Sequence, residues 1–415
     1  MKIKFLVMTL TLVPLWGQPS GASGSSSGQS VGMADAYVSV ARGVESVFWN
    51  PANLGFARSS EKNLTVFSLG VNAHNSSFSL QDYDRYNGKF LTSEDKQTIL
   101  NLIPSDGLRL SVDASVLGVG ISWGNFAFTV SGRGTSDLLF PKDPIRAAFF
   151  GNEINDTMLF SGSNGEAFAS VDVVLSYGRS IWRRGENEIL CGMNARLIRG
   201  LVYQKVIQAT GKLLALESGI SGRGDFAVLS AQGGRGYGLD WGLALKHKKN
   251  WTFGLSVINL IQQIRWEKNP EVRGYQVQMD SVLAENLDVD SVVIDHSYTE
   301  KKDPFVTHTP VLLLAGASYQ DGRALFAFSL KQGWGEGMGV TKKIAASFGT
   351  AYQILNWLGV RAGLSIGGKE GVTVADGMGV KLGGLDLDVG LAVERGIWLT
   401  KGRGVRLAVS NSFRF

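Results

Sequence analysis

A two-residue alternation of apolar and polar side chains restricts the fold of this chain more than any other feature. In residues 385–394 every odd position is Leu or Val, and the even positions are Asp, Gly, Ala or Glu. The C-terminal stretch 405–415 follows the same period. Further stretches with this period lie at 169–178, 239–246 and 251–257. Because successive side chains of a strand point to opposite faces, the pattern predicts strands with one apolar and one polar face.

A soluble β-sandwich also alternates, so other features must separate it from a membrane barrel. The predicted strands are long, often about ten residues, which suits a tilted membrane crossing. Their polar faces carry many Gly, Ser and charged residues, as a filled or wet lumen does. The last strand runs to Phe415, which suits a barrel closed by its own final strand. These features favour an all-β fold, a transmembrane antiparallel β-barrel in the bacterial outer membrane, in contact with its lipid.

The spacing between predicted strands supports this topology. Short connections alternate with long ones along the chain, as periplasmic turns alternate with external loops in outer-membrane barrels. This alternation of short and long connections predicts about fourteen strands, with twelve to sixteen as the range. The short connections are predicted near 124–125, 183–187, 247–250, 320–322, 353–355 and 382–384, and the long ones at 134–165, 269–307, 333–339 and 396–402.

Composition excludes several other classes of protein. The chain has 415 residues with 53 Gly and only 19% charged residues. Beyond the N-terminus no run approaches the roughly 18 apolar residues of a spanning helix, so a helical membrane protein is excluded. The formal charge of +5, without an arginine-rich tract, does not point to nucleic acid. Cys191 is the only cysteine, so an intrachain disulfide and a cysteine-based metal site are excluded.

The N-terminus has the pattern of an export signal. Lys2 and Lys4 precede an apolar run at 5–16, and small residues follow up to Gly28. This order predicts a signal peptide at 1–22, and the run is too short for a spanning anchor. We expect a linker and an N-terminal hatch at 23–61, followed by the barrel at 62–415.

Two other regions depart from the strand pattern. Residues 91–103 predict a short helix capped by Thr92 or Ser93 and ended by Pro104, in a loop or at the barrel mouth. The loop 134–165 is unusually apolar and is a candidate hydrophobic surface. Such a surface either captures a hydrophobic solute or dips into the outer leaflet, or else it packs as a cap over the barrel. Its apolar candidates are Leu138, Leu139, Phe140, Phe149 and Phe150.

Signals of an enzyme are weak, and we expect no catalytic residue, metal or cofactor. The Gly-x-Ser-x-Gly pattern at 363–367 lies at the end of a predicted strand, whereas a nucleophile elbow needs a strand-to-helix turn. The four histidines are scattered, and His296 with Asp290 and Asp295 is only a weak metal pattern. The triplet 223–225, Arg-Gly-Asp, is interpreted as an exposed loop.

Residues 32–55 carry the one family resemblance. The segments 32–41 and 47–55 resemble the N-terminal segment of FadL-type (long-chain fatty-acid transporter-like) outer-membrane proteins and of PorV-type proteins of a secretion system. The resemblance implies a small hatch that plugs a fourteen-stranded barrel, with Asn-Pro-Ala at its core. The residues of this hatch motif are Asn50, Pro51 and Ala52, accompanied by the small residues Gly32 and Ala36.

Small residues in this segment allow close backbone packing inside a lumen, and Asn50 before Pro51 favours a turn whose amide can bond carbonyl groups. The segment is therefore either a purely structural stopper or a gate. Two functions follow. The leading hypothesis is a passive channel for a hydrophobic or amphipathic small molecule. The alternative is a binding or assembly barrel for a secretion or surface protein.

Overall fold

The fold is described from a computed structural model. It describes residues 27–56, 62–151, 154–217, 219–282 and 293–415. The predicted signal peptide lies outside these residues.

Antiparallel strands dominate the chain, and the few helices are short. The strands are β1 (Asn63–Thr65), β2 (Ser68–Asn75), β3 (Leu108–Trp123), β4 (Phe126–Phe140), β5 (Thr157–Leu159), β6 (Asn164–Arg184), β7 (Asn187–Leu216), β8 (Gly219–His247), β9 (Trp251–Trp266), β10 (Lys268–Val282), β11 (Val293–Lys301), β12 (Phe305–Thr307), β13 (Leu312–Asp321), β14 (Ala324–Gly333), β15 (Ala345–Leu355), β16 (Leu358–Gly367), β17 (Thr373–Leu382), β18 (Leu385–Glu394) and β19 (Gly404–Arg414). The helices are α1 (Gly28–Gly32), α2 (Ser46–Trp49), α3 (Leu80–Tyr86), α4 (Ser93–Leu102) and α5 (Lys142–Phe150), with 3₁₀ turns at Gly43–Glu45 and Pro51–Gly55.

The sheet closes on itself as a ring of 14 strands. Strand β19 pairs with β2 through Ala408 and Gly70, and β2 pairs with β3, so the last strand meets the first. Strands β1 and β2 share one position in the ring, since both pair with β3 and β19. Strands β5, β10, β11 and β12 lie outside the ring as additions to β7, β8 and β9. The predicted barrel and its strand number are confirmed.

The two ends of the barrel differ, as the sorting of connections predicts. One end, here called the turn end, carries tight turns such as those after Trp123 and Leu382. The other, here called the loop end, carries all the long connections. Some predicted bounds are wrong. The loop predicted at 134–165 is shorter, because Leu139 pairs with Asn164 and extends β4 and β6. The turn predicted at 353–355 follows Leu355 instead.

The helix prediction at 91–103 is confirmed by α4. Thr92 caps its N-terminus, with a side-chain oxygen that accepts from the Asp95 amide. The loop prediction for 223–225 is wrong, because these residues lie in β8 and pair with 276–278 of β10. The composition of residues 223–225 is typical of a turn, but pairing with β10 holds them in an extended strand. In the described part of the chain no helix is long and apolar enough to cross a membrane.

The two faces of the ring invert the usual arrangement of a soluble protein. In β18 the odd residues Leu387, Val389 and Leu391 are exposed, whereas Asp386 and Asp388 are buried. The apolar face therefore points outward and the polar face points into the lumen. A closed sheet with an apolar exterior is suited to the hydrocarbon region of a membrane.

Strands β7 and β8 are much longer than the others, with 30 and 29 residues. Their far halves continue past the loop end and pair with β10, which in turn pairs with β11. Most of the connection predicted at 269–307 is therefore a hairpin of β10 and β11. At the same end, α4 packs against α5, and the Lys96 ammonium donates to the Phe149 carbonyl at 2.9 Å.

Candidate functional site

Residues 27–56 fill the barrel lumen and are here called the hatch. Helix α1 contacts β16 to β19, and the 3₁₀ turn at 51–55 contacts β6, β7 and β8 on the other side. Most hatch side chains are buried, among them Val31, Ala36, Trp49 and Leu54. Tyr37 and Trp49 pack edge to face, with ring centroids 5.7 Å apart. The hatch therefore spans the lumen from wall to wall.

Glycines of the wall receive the hatch backbone. A Cβ atom at Gly349 would lie 2.7 Å from the Met33 carbonyl oxygen, and one at Gly377 would lie 2.9 Å from Cα of Gly32. Backbone atoms of the hatch approach four other members of this set more closely still, and at Gly242 the Asn50 side chain does so. We call the set the glycine belt: Gly178, Gly192, Gly242, Gly349, Gly363, Gly377 and Gly390. Only a residue without a side chain admits such an approach at these positions.

The Asn-Pro-Ala residues sit against the belt on three consecutive strands. Pro51 lies over Gly178 of β6 and Gly192 of β7, and Asn50 lies over Gly242 of β8. Gly178 pairs with Gly192, and Gly192 with Gly242, so the three glycines form one row across the sheet. The predicted small residues Gly32 and Ala36 lie far along the wall, against Gly377 and Gly349. The structure thus places the five predicted hatch residues in one body but on two sides of the lumen.

The Asn50 side chain makes two specific hydrogen bonds. Its Oδ1 accepts from the Ala52 amide at 3.1 Å and caps the 3₁₀ turn. Its Nδ2 donates to the carbonyl of Leu243 in β8 at 2.9 Å. Asn53 donates to the carbonyls of Val38 and Ala41 within the hatch, at 3.0 and 3.1 Å. Neutral amides therefore satisfy buried carbonyl groups both inside the hatch and on the wall.

The N-terminal part of the hatch is held by polar side chains. Gln29 donates to Asp388 at 2.7 Å, and the Tyr37 hydroxyl donates to Gln29 at 2.9 Å. The Gly28 amide donates to the Ser410 hydroxyl at 3.2 Å. These bonds join α1 to β18 and β19.

An ion-pair cluster joins the hatch to the wall on the loop side. Arg406 of β19 contacts Asp35 of the hatch at 2.8 Å and Glu394 of β18 at 2.9 Å. Lys331 lies 3.5 Å from Asp35, and His74 lies 3.2 Å from Glu394. Burial raises the pKa of Asp35, but Arg406 and Lys331 more than offset this, so its pKa falls below the usual value. Asp35 is thus held as a carboxylate by the wall.

A polar cavity of about 290 Å³ lies on the turn side of the hatch. Its lining includes Glu45 and Arg42 of the hatch and Arg361, Asp388 and Arg414 of the wall. The Ser27 hydroxyl donates to Glu45 at 2.8 Å and so joins the start of the hatch to the 3₁₀ turn at Gly43–Glu45. Burial raises the pKa of Glu45 to about 7, and the bond from Ser27 only partly opposes this.

A smaller cavity of about 50 Å³ lies on the loop side. Its apolar lining comes from Val47 and Phe48 of the hatch and from Val116, Val174 and Ile258 of the wall.

Its polar lining is a buried network of four charges. Arg196 contacts Asp240 at 2.9 Å, and Arg133 lies 3.7 Å from Asp172. Nη2 of Arg133 is buried without a hydrogen-bond partner among the described residues. The cavity thus combines an apolar floor with a guanidinium that has an unused donor.

An aromatic cluster lies beyond this cavity toward the loop end. Trp266 is fully buried, stacks on Tyr203 at 5.6 Å and meets Phe168 edge to face at 6.3 Å. Its indole N–H donates to Thr307 at 2.9 Å. The guanidinium of Arg133 lies 5.4 Å from the centroid of the Phe168 ring, so the cluster and the small cavity are continuous through one side chain.

The predicted hydrophobic loop residues separate into two places. Leu138, Leu139 and Phe140 end β4 and are half-buried. Phe149 and Phe150 end α5, where only Phe150 is exposed. The charged lumen residues were not predicted as a site, although Asp172, Asp240 and Arg406 stand on the polar faces of the alternating strands. Alternation places such residues in the lumen, but it does not say which of them meet.

Within the described ranges, no three His, Cys, Asp or Glu side chains form a group that could hold a metal ion. Asp290 of the weak metal pattern lies outside those ranges. Ser365 lies inside β16 and accepts from the Ser347 hydroxyl at 3.0 Å. It does not stand on a strand-to-helix turn, which a nucleophile elbow requires.

Residues 55–221 match the model of a family of unknown function (DUF5723). A search of curated proteins gives no significant match.

Solved structures resemble the whole chain. The toluene transporter TodX of P. putida has a TM-score of 0.54 at 13% identity, over 96% of this chain and 99% of that one. The toluene transporter TbuX of Ralstonia pickettii gives 0.52 at 12% identity, over 95% and 99%. A FadL homologue of Pseudomonas aeruginosa gives 0.53 at 11% identity, over 94% and 98%.

At these identities the likeness establishes the fold. The chain has the FadL-type barrel fold, as the residues around Asn50, Pro51 and Ala52 predict. Neither the two named transporters nor the FadL homologue supports the alternative of a secretion-system barrel.

Proposed function

We propose that the chain is a non-enzymatic, passive channel for hydrophobic or amphipathic solutes in the bacterial outer membrane. Residues 1–22 would direct export, residues 23–61 would contribute the linker and hatch, and residues 62–415 would form the barrel. The loop end faces the exterior and the turn end faces the periplasm. Solute enters at the loop end and passes the hatch toward the periplasm or laterally into the membrane.

The observation that carries this proposal is the arrangement of the loop side of the hatch. An open pore for ions or sugars needs a continuous water-filled lumen. Here a hatch spans the lumen, and on its loop side an aromatic cluster borders a cavity floored by Val47 and Phe48. Apolar pockets with a few polar groups bind small apolar ligands and orient them. The FadL-type fold of two proteins named as toluene transporters supports the same class of solute.

Arg133 suits the polar end of an amphipathic solute. Its guanidinium lies over the Phe168 ring, the residue also lines the small cavity, and its buried Nη2 has no hydrogen-bond partner among the described residues. A carboxylate or hydroxyl there would accept from the guanidinium, and such charge-assisted bonds are stronger than neutral ones. The apolar part of the same solute would pack against Tyr203 and Trp266.

Uptake of labelled solutes tests the proposal. A deletion strain complemented with the wild-type chain should take up a long-chain fatty acid or a monoaromatic hydrocarbon faster than the strain without it. Trp266→Ala should reduce this uptake severalfold, because it removes the largest aromatic surface of the cluster. The matched control is Trp334→Ala, since Trp334 is an exposed loop residue at 69%. Arg133→Gln should reduce uptake of the fatty acid more than that of the hydrocarbon.

Uptake that is the same with and without the chain, together with loss of a surface protein, would reject transport. The hydrophobic loop residues Leu138, Leu139, Phe140, Phe149 and Phe150 keep their proposed role as a capture surface only if their substitution slows uptake.

A further inference from the structure

Three arginines stand side by side on the outside of the barrel. Arg199 of β7 pairs directly with Arg235 of β8, and Arg235 pairs directly with Arg265 of β9. All three are exposed. Adjacent strands lie about 4.8 Å apart, so the three guanidinium stems leave the sheet within about 10 Å of one another. We call them the arginine row.

Alternation fixes the face on which the row lies. The strand neighbours of Arg199 and Arg265 point into the lumen, where Ile198, Ile264 and Trp266 are buried. A Cβ at either glycine beside Arg235 would meet Ile264 in the lumen. The arginines between these residues therefore point away from the lumen, toward whatever surrounds the barrel.

The height of the row follows from β9. Its outward side chains are Trp251, Phe253, Leu255, Val257 and, after an irregularity at Asn259, Ile261. Ten residues of tilted strand cover about 25 Å, which is the height of the apolar band of an outer-membrane barrel. Arg265 lies four residues further toward the loop end, hence about 10 Å beyond the band. The row stands at the level of lipid head groups.

Apolar side chains border the row on its membrane side. Leu197 precedes Arg199 on the outward face of β7 and is 69% exposed, and it pairs directly with Tyr237 of β8. On β9 the residue paired with Tyr237 is Gln263, and Ile261 lies two residues further toward the membrane on the same face. A ligand on the row thus has an apolar surface for acyl chains immediately below its charged end.

The row is costly without an anion. Like charges directly opposite on neighbouring strands destabilise a sheet. Among the described residues, the arginine row takes part in one ion pair, between Arg265 and Glu267 at 3.6 Å. Arginine presents planar N–H pairs that match phosphate oxygens, and it does so more specifically than lysine.

We propose that Arg199, Arg235 and Arg265 form a binding site for the phosphorylated head group of a lipid in the outer leaflet. The phosphate bridges the guanidinium groups, and the acyl chains lie on Leu197, Tyr237 and Ile261. The site lies on the opposite face of the wall from the solute path. It rests on the proposed membrane orientation but not on the identity of the solute.

Lipid binding by the full chain, purified in a nonionic detergent, tests the site. The probes are a phosphorylated glycolipid and the same glycolipid after enzymatic removal of its phosphates, so that the acyl chains are matched. The wild type should bind the phosphorylated form at least tenfold more tightly. In Arg199→Gln/Arg235→Gln/Arg265→Gln this preference should disappear. Arg235→Lys should retain part of it, because charge remains but the planar donors are lost.

The matched control removes the same charge elsewhere at the loop end. Lys342→Gln/Lys343→Gln/Lys401→Gln alters three exposed loop lysines and should keep the preference. Inorganic phosphate at millimolar concentration should displace little lipid. Complete displacement by phosphate, equal loss in the control, or a wild type without preference would each overturn the lipid site.

Fractionation separates this proposal from that of the channel. If the chain is found in the outer membrane but shows no preference, the lipid site is wrong and the channel proposal stands. If the preference is present while solute uptake is unaffected by deletion, the lipid site stands and the channel proposal fails.

Discussion

The two halves of the hatch are fixed to the same wall by different interactions. Residues 42–56 rely on shape: Pro51 and Asn50 rest on glycines, and neutral amides bond backbone carbonyls. Residues 27–41 also rest on glycines, but they add charged and polar contacts, from Asp35 to Arg406 and from Gln29 to Asp388. Steric fit does not depend on pH or salt, whereas the interactions of carboxylates depend on both. The N-terminal half is therefore the part whose attachment solution conditions can change.

Several contacts join the two halves, and the bond from Ser27 to Glu45 is the one among them that involves a carboxylate. Because Glu45 lies in the C-terminal half and its pKa is raised, this contact is where the two modes of attachment meet. We therefore expect charge removal to loosen residues 27–41 and added volume to loosen residues 42–56. Protonation of Glu45 should affect the contact between these two halves.

Removal of the arginine at the centre of the ion-pair cluster should have the largest effect. Arg406→Gln leaves Asp35, Glu394 and Glu370 buried without their shared cation. Breaking a buried pair from one side costs about 3–5 kcal/mol. We expect a lower unfolding temperature in detergent and faster proteolysis within residues 27–41.

Arg395→Gln is a suitable control for this prediction, because Arg395 bonds a loop carbonyl of Lys369 instead of the hatch. If Arg406→Gln leaves the N-terminal half as resistant to protease as in the wild type, charge does not hold that half.

Added volume under the Asn-Pro-Ala residues should have the next largest effect. In Gly242→Ala the new methyl group would lie 2.9 Å from Cδ of Pro51 and still closer to the Asn50 side chain. Overpacking of this kind costs up to about 3 kcal/mol. The expected result is loosening of residues 42–56, visible as faster hydrogen exchange there and independent of salt.

Gly132→Ala gives the matched comparison, because the nearest atom to its methyl group would be 3.8 Å away. If the two substitutions had equal effects, the effect would come from adding a methyl group to a strand and not from contact with the hatch.

The pH dependence at the junction should be the smallest of the three effects. Glu45 has its pKa raised to about 7 from 4.5, mainly by burial, so the folded state binds its proton more tightly than the unfolded state. Stability from this group is complete below about pH 4.5 and falls as pH rises toward 7. Between pH 5 and 7 the loss is on the order of 2 kcal/mol. In Glu45→Gln the decline of unfolding temperature between pH 5 and 7 should flatten.

Asp35 titrates in the opposite sense, which separates the two groups. Its pKa is lowered, so its contribution is present above the usual carboxyl range and is lost at more acidic pH. If the profile between pH 5 and 7 flattened in Asp35→Asn instead of in Glu45→Gln, then Asp35 and not Glu45 would cause the pH dependence, and the prediction would be wrong.

Local sequence accounts for most of the barrel. Alternation in 385–394 and 405–415 predicts both the strands and the face that points outward, since side-chain direction depends only on position along a strand. The sorted connections predict the ring and its two ends. The small residues and the turn at Asn50 and Pro51 predict a compact plug. None of these inferences needs to know which strands are neighbours.

The site depends on register, which the sequence does not reveal. In β7 the irregularity beside Gly200 skips one residue in the pairing with β6, and the inward positions change from Ile198 and Gly200 to Tyr203. A slip of one residue reverses every side chain beyond it. The aromatic cluster around Trp266 and the meeting of Arg133 with Asp172 therefore could not be predicted from alternation.

The sequence by itself determined that this chain forms a closed sheet with an apolar exterior and a small plug, because those properties follow from local periodicity and local turn chemistry. Only the tertiary structure decided which glycines meet Pro51, which carboxylates surround Arg406, and that three arginines stand abreast outside the wall. Those contacts join residues far apart in the chain, and cross-strand register, which irregularities shift by single residues, determines them.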